Sequence, residues 1–322
     1  MSRRPEAAHR IGVDVGGTKV HAVLVEIGAD GVPRVLQSVR RPAEAHGPGV
    51  IGHITALVQE LTARAAPGTV DAVGVGLAGF VGLDGIVRRA PNATGLEGVD
   101  VVDAIRRANG LPATIENDAN CVAVAATALR SPSPLDLVAV TLGTGIGGGI
   151  VIGGRLVRGA RGFAGEPGHM VVDPDGPPCP CGQRGCWERY ASGSGLVALA
   201  HRAIDEGRAP DLANLADRLG DPLQGEQVSE AAAAGSPGAA AVMDEFGDWV
   251  ALGVANLINL LDPEVVVISG GLAAEGELLL ARVRRGLERF PAAASRGVAV
   301  EMAPGGPAAG AIGAAIVARG GA

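Results

Sequence analysis

The chain has 322 residues, of which 47% are apolar and only 2% aromatic, and its formal net charge is −7. This composition supports a core of Ala, Val, Leu and Ile, and the length fits two domains of ordinary size. The acidic balance argues against nucleic acid as the main partner. No apolar run approaches the roughly 18–20 residues needed to cross a bilayer, and none follows the N-terminal arginines, so we expect a cytoplasmic protein without a membrane anchor or secretory leader.

The first part of the chain alternates strand and helix patterns. Alternating apolar residues predict a strand at 11–15, a β-branched run predicts a returning strand at 20–25, and glycines form the turn between them. The patterns that follow predict a helix at 49–66, a strand at 72–77, a helix at 101–108, a strand at 113–115 and a helix from 117 to about 129.

A second copy of the strand–glycine turn–strand pattern begins at residue 137. Its strands are predicted at 137–141 and 150–152, with a glycine turn at 143–149. After an irregular stretch at 174–186, the patterns predict helices over about 192–261, a strand at 264–268, a helix at about 276–290, a strand at 298–300 and a helix from about 308. Two similar halves of alternating strands and helices predict a duplicated α/β fold with one phosphate-binding hairpin in each lobe.

The two glycine turns are candidate phosphate sites, because backbone N–H groups can approach an anion closely where side chains are absent. The G-x-G-x-x-G match at 143–148 continues as a strand, whereas a dinucleotide site needs a helix there, which argues against a dehydrogenase. Beside the first turn, Lys19 could contact a phosphate as a point charge, and Asp14 could help to hold hydrated Mg²⁺. A plain hairpin turn is the alternative for either turn alone.

Asp118 has two interpretations, since it stands at a junction between a predicted strand and a predicted helix. It could cap the helix by accepting a hydrogen bond from the first free N–H groups. It could also be the general base that phosphoryl transfer to an alcohol requires, with its carboxylate directed at the hydroxyl by Asn117. Both roles are compatible if the two carboxylate oxygens are divided between them.

A dense group of metal ligands follows the second glycine turn, with the spacing His169-x9-Cys179-x-Cys181-x4-Cys186. Three thiolates and one imidazole match the ligand preference of tetrahedral Zn²⁺. In a chain expected to remain in a reducing compartment, a metal site is favoured over a structural disulfide. Because four protein ligands leave no open position, this zinc is expected to be structural. The alternative is a group of small buried thiols beside a surface histidine.

Three polar residues near these motifs are candidates for binding a polyol through its hydroxyl groups. Glu166 and Glu188 flank the cysteine-rich loop, where a bound metal would hold both carboxylates rigidly, and Asn92 follows Pro91 in a loop. Adjacent hydroxyl groups can be bound by such carboxylates, with an amide supplying both a donor and an acceptor. Each glutamate taken alone is more simply explained as a solvated surface residue.

Together these stretches resemble the ROK family of sugar kinases and sugar-responsive repressors, most closely its bacterial glucokinase branch. The matching stretches are 14–19, 116–120, 142–149, 166–169, 179–188 and 268–271. The resemblance implies an actin-like ATPase (ribonuclease H-like) fold with two lobes around a cleft. We expect a small lobe of residues 1–118, completed by a C-terminal helix at 308–322, and a large lobe of 119–307 that carries a zinc-binding loop at 169–188.

The resemblance also implies roles for individual residues, with Asp118 as the catalytic base. The implied sugar ligands are Gly79, Asn92, Asn117, Asp118, Glu166, His169 and Glu188. The implied ATP ligands are Gly16, Gly17, Thr18, Lys19, Thr144, Gly145, Gly147, Gly148, Gly270 and Gly271. Zinc would be held by His169, Cys179, Cys181 and Cys186, and Mg²⁺ would accompany ATP near Asp14. His169 would use its second ring nitrogen for the sugar. A homodimer or homotetramer is expected.

Two departures from the family pattern leave the identity of the hexose open. Leu96 stands where an aromatic residue is usual, and the helix after Asp118 lacks the usual acidic residue at 123–127. Glucose is the expected substrate and ATP the expected donor, with N-acetylglucosamine or N-acetylmannosamine as alternative substrates. The sequence does not tell ATP from polyphosphate as the donor. A repressor is disfavoured because only thirteen residues precede Asp14, too few for a helix-turn-helix. An inactive sugar-binding module is disfavoured because Asp118, Lys19 and both glycine turns are present.

Overall fold

The computed structural model describes residues 8–43, 48–90, 93, 95–219, 222–290 and 297–318. The chain divides into two compact units, each made of more than one segment. The first unit consists of Met1–Ala139, Gly149–Gly165 and Ala303–Ala322, and the second of Val140–Gly148 and Glu166–Met302. Among the described residues, the apolar helices all fall short of what a bilayer crossing requires.

The first unit is built on a five-stranded sheet with the strand order β3-β2-β1-β4-β7. Its strands are β1 (Ala8–Val15), β2 (Lys19–Ile27), β3 (Pro33–Pro42), β4 (Val70–Leu77) and β7 (Ala113–Asn117), and β5 (Phe80–Val81) pairs separately with β6 (Val87–Arg89). The β1–β2 and β2–β3 pairs are antiparallel, whereas β1–β4 and β4–β7 are parallel. Seven of the eight residues of β4 are buried, which is typical of a parallel strand covered on both faces.

Helices cover this sheet, and the last helix of the chain packs closest to it. The helices are α1 (Pro48–Arg64), α2 (Val101–Asn109), α3 (Asp118–Ala128) and α10 (Ala309–Val317). A Cβ on Gly12 would collide with the backbone of Ala311, and one on Gly74 would collide with that of Ala314. The Ala- and Gly-rich composition of α10 is therefore explained by direct contact between its backbone and strands β1 and β4.

A second five-stranded sheet has the strand order β10-β9-β8-β11-β12. Its strands are β8 (Leu137–Leu142), β9 (Ile146–Ile152), β10 (Arg155–Leu156), β11 (Val265–Ser269) and β12 (Ala299–Met302). The chain passes from one compact unit to the other within β8 and again within β9. The helices of the second unit are α4 (Glu188–Ala191), α5 (Gly193–Asp205), α6 (Pro210–Leu219), α7 (Gly225–Ala233), α8 (Pro237–Leu261) and α9 (Glu277–Leu287).

The predicted strands and helices occur in the predicted order, and the structure adds the unpredicted strands β3, β5, β6 and β10. The edge strand β3 was not predicted, because its residues are mostly polar and exposed and lack a buried alternation. The second glycine turn is shorter than predicted, because β9 already begins at Ile146. The boundary after residue 118 stays a prediction of domain organisation; in the structure, α3 belongs with the first unit because it packs against α10.

Candidate active site and metal centre

Asp14 lies at the end of β1, paired with His21 of β2 on one side and with Gly76 of β4 on the other. Two glycines make room for its carboxylate. A Cβ on Gly76 would lie 3.7 Å from Asp14 Oδ1, and a Cβ on Gly310 would lie only 2.7 Å from Oδ2. Gly310 belongs to the first turn of α10, so the carboxylate sits beside the start of that helix, where the positive end of the dipole favours an anion.

Asp14 and Asp118 influence each other electrostatically within the first unit. Burial, and after it the negative charge of Asp118, raises the pKa of Asp14 from 3.8 to about 7. Burial also raises the pKa of Asp118, although the backbone N–H groups of Ala119 and of Asp118 itself act in the opposite direction. Two partly buried carboxylates with raised pKa values are an arrangement that functional sites favour, because ionisation is stabilised only when a cation or a substrate arrives.

The first glycine turn is a tight connection between β1 and β2. Gly16 N donates to Lys19 O at 3.0 Å, and Thr18 O accepts from Ala43 N at 2.9 Å. The side chains of Thr18 and Lys19 are exposed, as is Gly17. Neither Gly16 nor Gly17, both within the described residues, has a positive φ. The turn therefore does not need glycine for its backbone conformation. At Gly16 a small residue is favoured by packing, because a Cβ there would lie 3.2 Å from Lys19 O.

The structure assigns the helix-capping role, which the sequence left open for Asp118, to its neighbour. Asn117 is the N-cap of α3, and its Oδ1 accepts from Asn120 N at 3.0 Å. Asp118 is the first residue of the helix rather than its cap. Its carboxylate is therefore not needed for the capping bond and can serve as an acceptor for a ligand proton.

Gly79 and Asn117, both implied as sugar ligands, lie together in the first unit. Asn117 Nδ2 donates to Gly79 O at 3.2 Å. Gly79 has φ +154°, and a Cβ there would collide with the backbone of Arg89, so no other residue fits this position. The implied ligand Asn92 lies outside the described residues. The first unit thus brings together Gly79, Asn117 and Asp118.

The second unit holds the predicted metal ligands in one cluster. The candidate ligand atoms of His169, Cys179, Cys181 and Cys186 all lie within 4.8 Å of one another. Cys181 Sγ lies 3.6 Å from Cys186 Sγ, and Cys179 Sγ lies 3.9 Å from His169 Nδ1. A tetrahedral zinc with bonds of ~2.3 Å to sulfur separates its sulfur ligands by about 3.8 Å, so the donor set fits Zn²⁺ in both chemistry and spacing. All four cysteines of the chain are free thiols.

Three of the seven aromatic residues of the chain anchor the loop that holds the metal ligands. Trp187, directly after Cys186, is fully buried; its Nε1 donates to Trp249 O at 2.7 Å, and its ring fills the space beside Gly253 of α8. Tyr190 stacks on Trp249 at 4.0 Å. Both tryptophans and the single tyrosine of the chain therefore fix the loop to α8. Sequence reasoning missed this anchor, because α8 is distant from the loop in the chain.

Glu188, the first residue of α4, lies between the cluster and the second glycine turn. Its Oε1 is 3.4 Å from Cys179 Sγ and 3.8 Å from His169 Nδ1, and its Oε2 accepts from Ile146 N at 3.4 Å. Nδ1 is thus the nitrogen of His169 on the side of the cluster. Glu166 precedes the short 3₁₀ helix Pro167–His169 and is partly exposed. The second unit therefore places Glu188 and His169 together.

The residues implied as ATP ligands in the second unit occupy three kinds of position. Thr144 and Gly145 form the turn, where Gly143 N donates to Gly145 O at 3.0 Å and Thr144 O accepts from Ser194 Oγ at 3.2 Å. Gly270, with φ +100°, ends β11 against the backbone of Leu142, and Gly271 begins a short 3₁₀ helix. The remaining two, Gly147 and Gly148, lie within β9 rather than in the predicted turn.

Residues 10–320 match the model of the ROK family. The chain is 37% identical to the glucokinase of Streptomyces coelicolor over 87% of each chain, and 32% identical to the N-acetylmannosamine kinase of Shigella boydii over 88% of this chain and 89% of that one. A solved ROK family glucokinase from Streptomyces griseus, in complex with glucose and AMPPNP, is similar with a TM-score of 0.84 and 37% identity, covering 98% of this chain and 100% of that one. This likeness confirms the predicted duplicated α/β fold of the actin-like ATPase type. The chain belongs to the ROK family.

Proposed function

We propose that this ROK protein is an ATP-dependent hexose kinase that phosphorylates the 6-hydroxyl group of glucose. The observation that carries the proposal is the division of roles at the start of α3. Asn117 accepts the capping bond from Asn120 N, so the adjacent carboxylate of Asp118, which faces the backbone N–H groups of Ala119 and of Asp118 itself, keeps acceptor capacity for a substrate proton. The names of the relatives support the same class of reaction, since two glucokinases and an N-acetylmannosamine kinase match nearly the whole chain.

Asp118 is the proposed general base. As the sugar hydroxyl attacks the γ-phosphorus of ATP, its proton passes to the Asp118 carboxylate, and the oxygen–phosphorus bond to ADP breaks. Burial raises the pKa of Asp118, which makes the carboxylate a stronger proton acceptor than a solvated aspartate. Because α3 fixes the Asp118 backbone, the carboxylate needs little reorganisation during the reaction.

The phosphate groups of ATP are proposed to contact the first glycine turn, through its N–H groups and the exposed Lys19. Asp14 is the residue of this unit that suits Mg²⁺. A carboxylate whose pKa is raised to about 7 by burial and by a neighbouring aspartate gains from a nearby cation, and one carboxylate plus waters is a common Mg²⁺ ligand set. When bound with ATP, Mg²⁺ neutralises charge on the phosphate oxygens. In the second unit, Thr144, Gly145, Gly147, Gly148, Gly270 and Gly271 are the proposed nucleotide contacts.

The sugar is proposed to be oriented by hydrogen bonds to six residues besides Asp118, and Gly79 would make its contact through the backbone. These ligands are Gly79, Asn92, Asn117, Glu166, His169 and Glu188. Zinc, held by His169 and the three cysteines, would have a structural role, because its four protein ligands leave no position for the substrate. Its contribution is to fix the loop that carries Glu188, and the nearby His169 ring.

N-acetylmannosamine or N-acetylglucosamine is the alternative substrate, and the relative from Shigella boydii keeps it open. One of the two sequence arguments for it was that Leu96 replaces an aromatic residue; the other was the absence of an acidic residue at 123–127. In the structure Leu96 is only 1% exposed and belongs to the hydrophobic core of the first unit. A core residue does not contact a ligand directly, so this replacement carries less weight against glucose than the sequence alone suggested.

The test is phosphoryl transfer measured with purified, zinc-loaded protein and a panel of sugars, using ADP release as the readout. Glucose is expected to be the best substrate, with N-acetylglucosamine and N-acetylmannosamine as competitors, and 6-deoxyglucose is the control that lacks the acceptor oxygen. Polyphosphate in place of ATP identifies the donor. Turnover of an N-acetylhexosamine in preference to glucose would replace the proposed substrate, and no transfer to any hexose would overturn the proposed function.

A further inference from the structure

Arg158 forms an ion pair with Glu116 close to the candidate catalytic residue. Its Nε donates to Glu116 Oε2 at 2.6 Å. The Glu116 side chain is only 8% exposed, whereas that of Arg158 is 37% exposed. Glu116 lies near the end of β7, two residues before Asp118. The pair therefore joins a buried carboxylate at the active site to a cation that reaches the surface.

The other oxygen of Glu116 holds the junction between β7 and α3. Glu116 Oε1 accepts from Asn117 N and from Asn120 Nδ2, each at 3.0 Å. Asn120 is buried, and its own backbone N–H donates to the capping oxygen of Asn117. Glu116 is thus the acceptor around which both Asn117 and the first turn of α3 are arranged. Asp118 lies between these two fixed residues.

The segment that carries Arg158, here called the arginine loop (residues 158–164), is fixed at its other end as well. Ala164 N donates to Arg158 O at 3.1 Å, which closes the loop. Phe163 packs edge-on against Phe80 at 5.4 Å. Phe80 follows Gly79, whose carbonyl accepts from the Asn117 side chain. The arginine loop therefore contacts β7 through Arg158 and Glu116, and it contacts the segment after Gly79 through Phe163 and Phe80. The Asn117 side chain is held between these two segments.

Arg158 opposes an excess of negative charge in this part of the unit. Asp14 of β1, Glu116 of β7 and Asp118 of α3 surround the buried thiol of Cys121. Burial raises the pKa of Cys121, the three carboxylates raise it further, and the guanidinium of Arg158 lowers it. Loss of Arg158 would leave the buried Glu116 carboxylate without its cation, and an uncompensated buried charge is more costly than the loss of both partners.

We propose that Arg158 is a positioning residue for the hexose side of the reaction, acting through Glu116 to hold the Asn117 amide and the Asp118 backbone in their working geometry. The inference rests on the proposed kinase function for its kinetic consequences. Arg158 does not contact the substrate in this proposal. Without Arg158, the Glu116 carboxylate turns toward solvent, and its hydrogen bonds to Asn117 and Asn120 weaken.

The kinetic test compares Arg158→Gln with Arg155→Gln, an exposed arginine of β10 in the same part of the chain. Arg158→Gln is expected to lower kcat by about 10- to 100-fold and to raise the hexose KM, because small displacements of catalytic groups cost about that much. The KM for ATP should change less than about twofold. Arg158→Lys should recover part of kcat, since it keeps a cation beside Glu116, and Arg155→Gln should behave as the wild type.

The second test is the double variant Glu116→Gln/Arg158→Gln. The glutamine at position 116 keeps a carbonyl oxygen that accepts from Asn117 N, but it carries no charge and needs no cation. The kcat of the double variant should therefore recover to within about fivefold of the wild type. Equal kinetics of Arg158→Gln and Arg155→Gln would overturn the proposal. So would a failure of the double variant to recover, or an ATP KM that changes as much as the hexose KM.

Hydrogen exchange separates this inference from the proposed function. Amides of residues 117–121 should exchange faster in Arg158→Gln than in Arg155→Gln or in the double variant. If the wild type transfers phosphate to no hexose, the kinase proposal fails, while the exchange rates still decide whether Arg158 orders the start of α3. Unchanged exchange in Arg158→Gln would overturn the positioning role whatever the reaction is.

Discussion

The carboxylate of Glu188 occupies the space in which a side chain on Gly145 would begin. A Cβ at Gly145 would lie 2.7 Å from Glu188 Oε2, the same oxygen that accepts from Ile146 N. Its other oxygen is 3.4 Å from Cys179 Sγ. Glu188 thus connects the second glycine turn directly to the metal cluster, and Gly145 is small because this carboxylate needs its space.

Gly145→Ala tests that connection. The added methyl group is expected to push the Glu188 carboxylate out of its position, because a contact of this length is closer than real Cβ atoms tolerate. The hexose KM should rise by about 10-fold or more, whereas zinc content should stay unchanged, since Glu188 is not one of the four ligands. Steady-state kinetics and metal analysis of the same sample measure both effects.

Gly143→Ala is the matched control for this prediction. A Cβ at Gly143 meets no atom within 4 Å, and this glycine has no positive φ, so the backbone should accept alanine without strain. The hexose KM of this variant should remain within about twofold of the wild type. If both variants raise the hexose KM equally, the effect comes from the turn and not from displacement of Glu188.

Asp118→Asn is expected to lower kcat by at least about 100-fold while hexose binding is largely kept. Asparagine has nearly the same shape and leaves the Asn117 cap intact, so α3 should form as before. What is lost is the proton acceptor. Calorimetric titration with the sugar measures binding, and mass spectrometry must show that the asparagine has not deamidated. Wild-type turnover in such a sample would remove Asp118 from the role of base.

Asp14→Asn is expected to stabilise the ligand-free protein at pH 8 while impairing catalysis. Because the pKa of Asp14 is raised from 3.8 to about 7, the folded protein holds this proton more tightly than the unfolded chain. The stabilisation from the protonated form is complete below pH 3.8 and is lost as the pH rises through 7. The free-energy cost of the ionised group is at most about 4 kcal/mol, and asparagine avoids it.

Thermal unfolding at several pH values measures this effect. The Tm difference between Asp14→Asn and the wild type should be largest at pH 8 and should narrow toward pH 5. Asp84→Asn is the control with the opposite sign, because a hydrogen bond from Ile86 N and the nearby Arg88 lower the pKa of that exposed carboxylate. A stabilisation that does not depend on pH would show that the ionisation of Asp14 is not its cause.

The features predicted from the sequence are those that depend on short stretches of chain. The turn at Gly16–Lys19, the junction at Asn117–Asp118 and the spacing of the metal ligands each bring chemistry together within a few residues, and the structure shows them as predicted. The division between cap and base at that junction was not predicted. It depends on whether the side-chain oxygen of Asn117 or that of Asp118 accepts from Asn120 N, and asparagine and aspartate are both favourable N-cap residues.

The features that the sequence did not reveal arise from contacts between distant parts of the chain. Gly310 makes room for Asp14, yet these residues lie near opposite ends of the sequence. Arg158 pairs with Glu116 from a loop that follows three further strands. In a sequence with 51 glycines and 27 lysines and arginines, nothing local distinguishes Gly310 or Arg158 from the others. Only packing assigns them a role.

The tryptophans provide a test of the metal centre, because both of them lie at the loop that contains the cluster. We expect about one zinc per chain, and Cys181→Ala should lose it, since three remaining ligands bind far more weakly. Loss of the metal should loosen the Trp187 and Trp249 contacts, shift tryptophan fluorescence and raise the hexose KM.

Cys121→Ala is the control, because Cys121 lies in α3 of the first unit and outside the cluster. It should keep zinc and an unchanged emission spectrum, and a zinc-free wild type that binds sugar at full strength would refute the structural role of the metal.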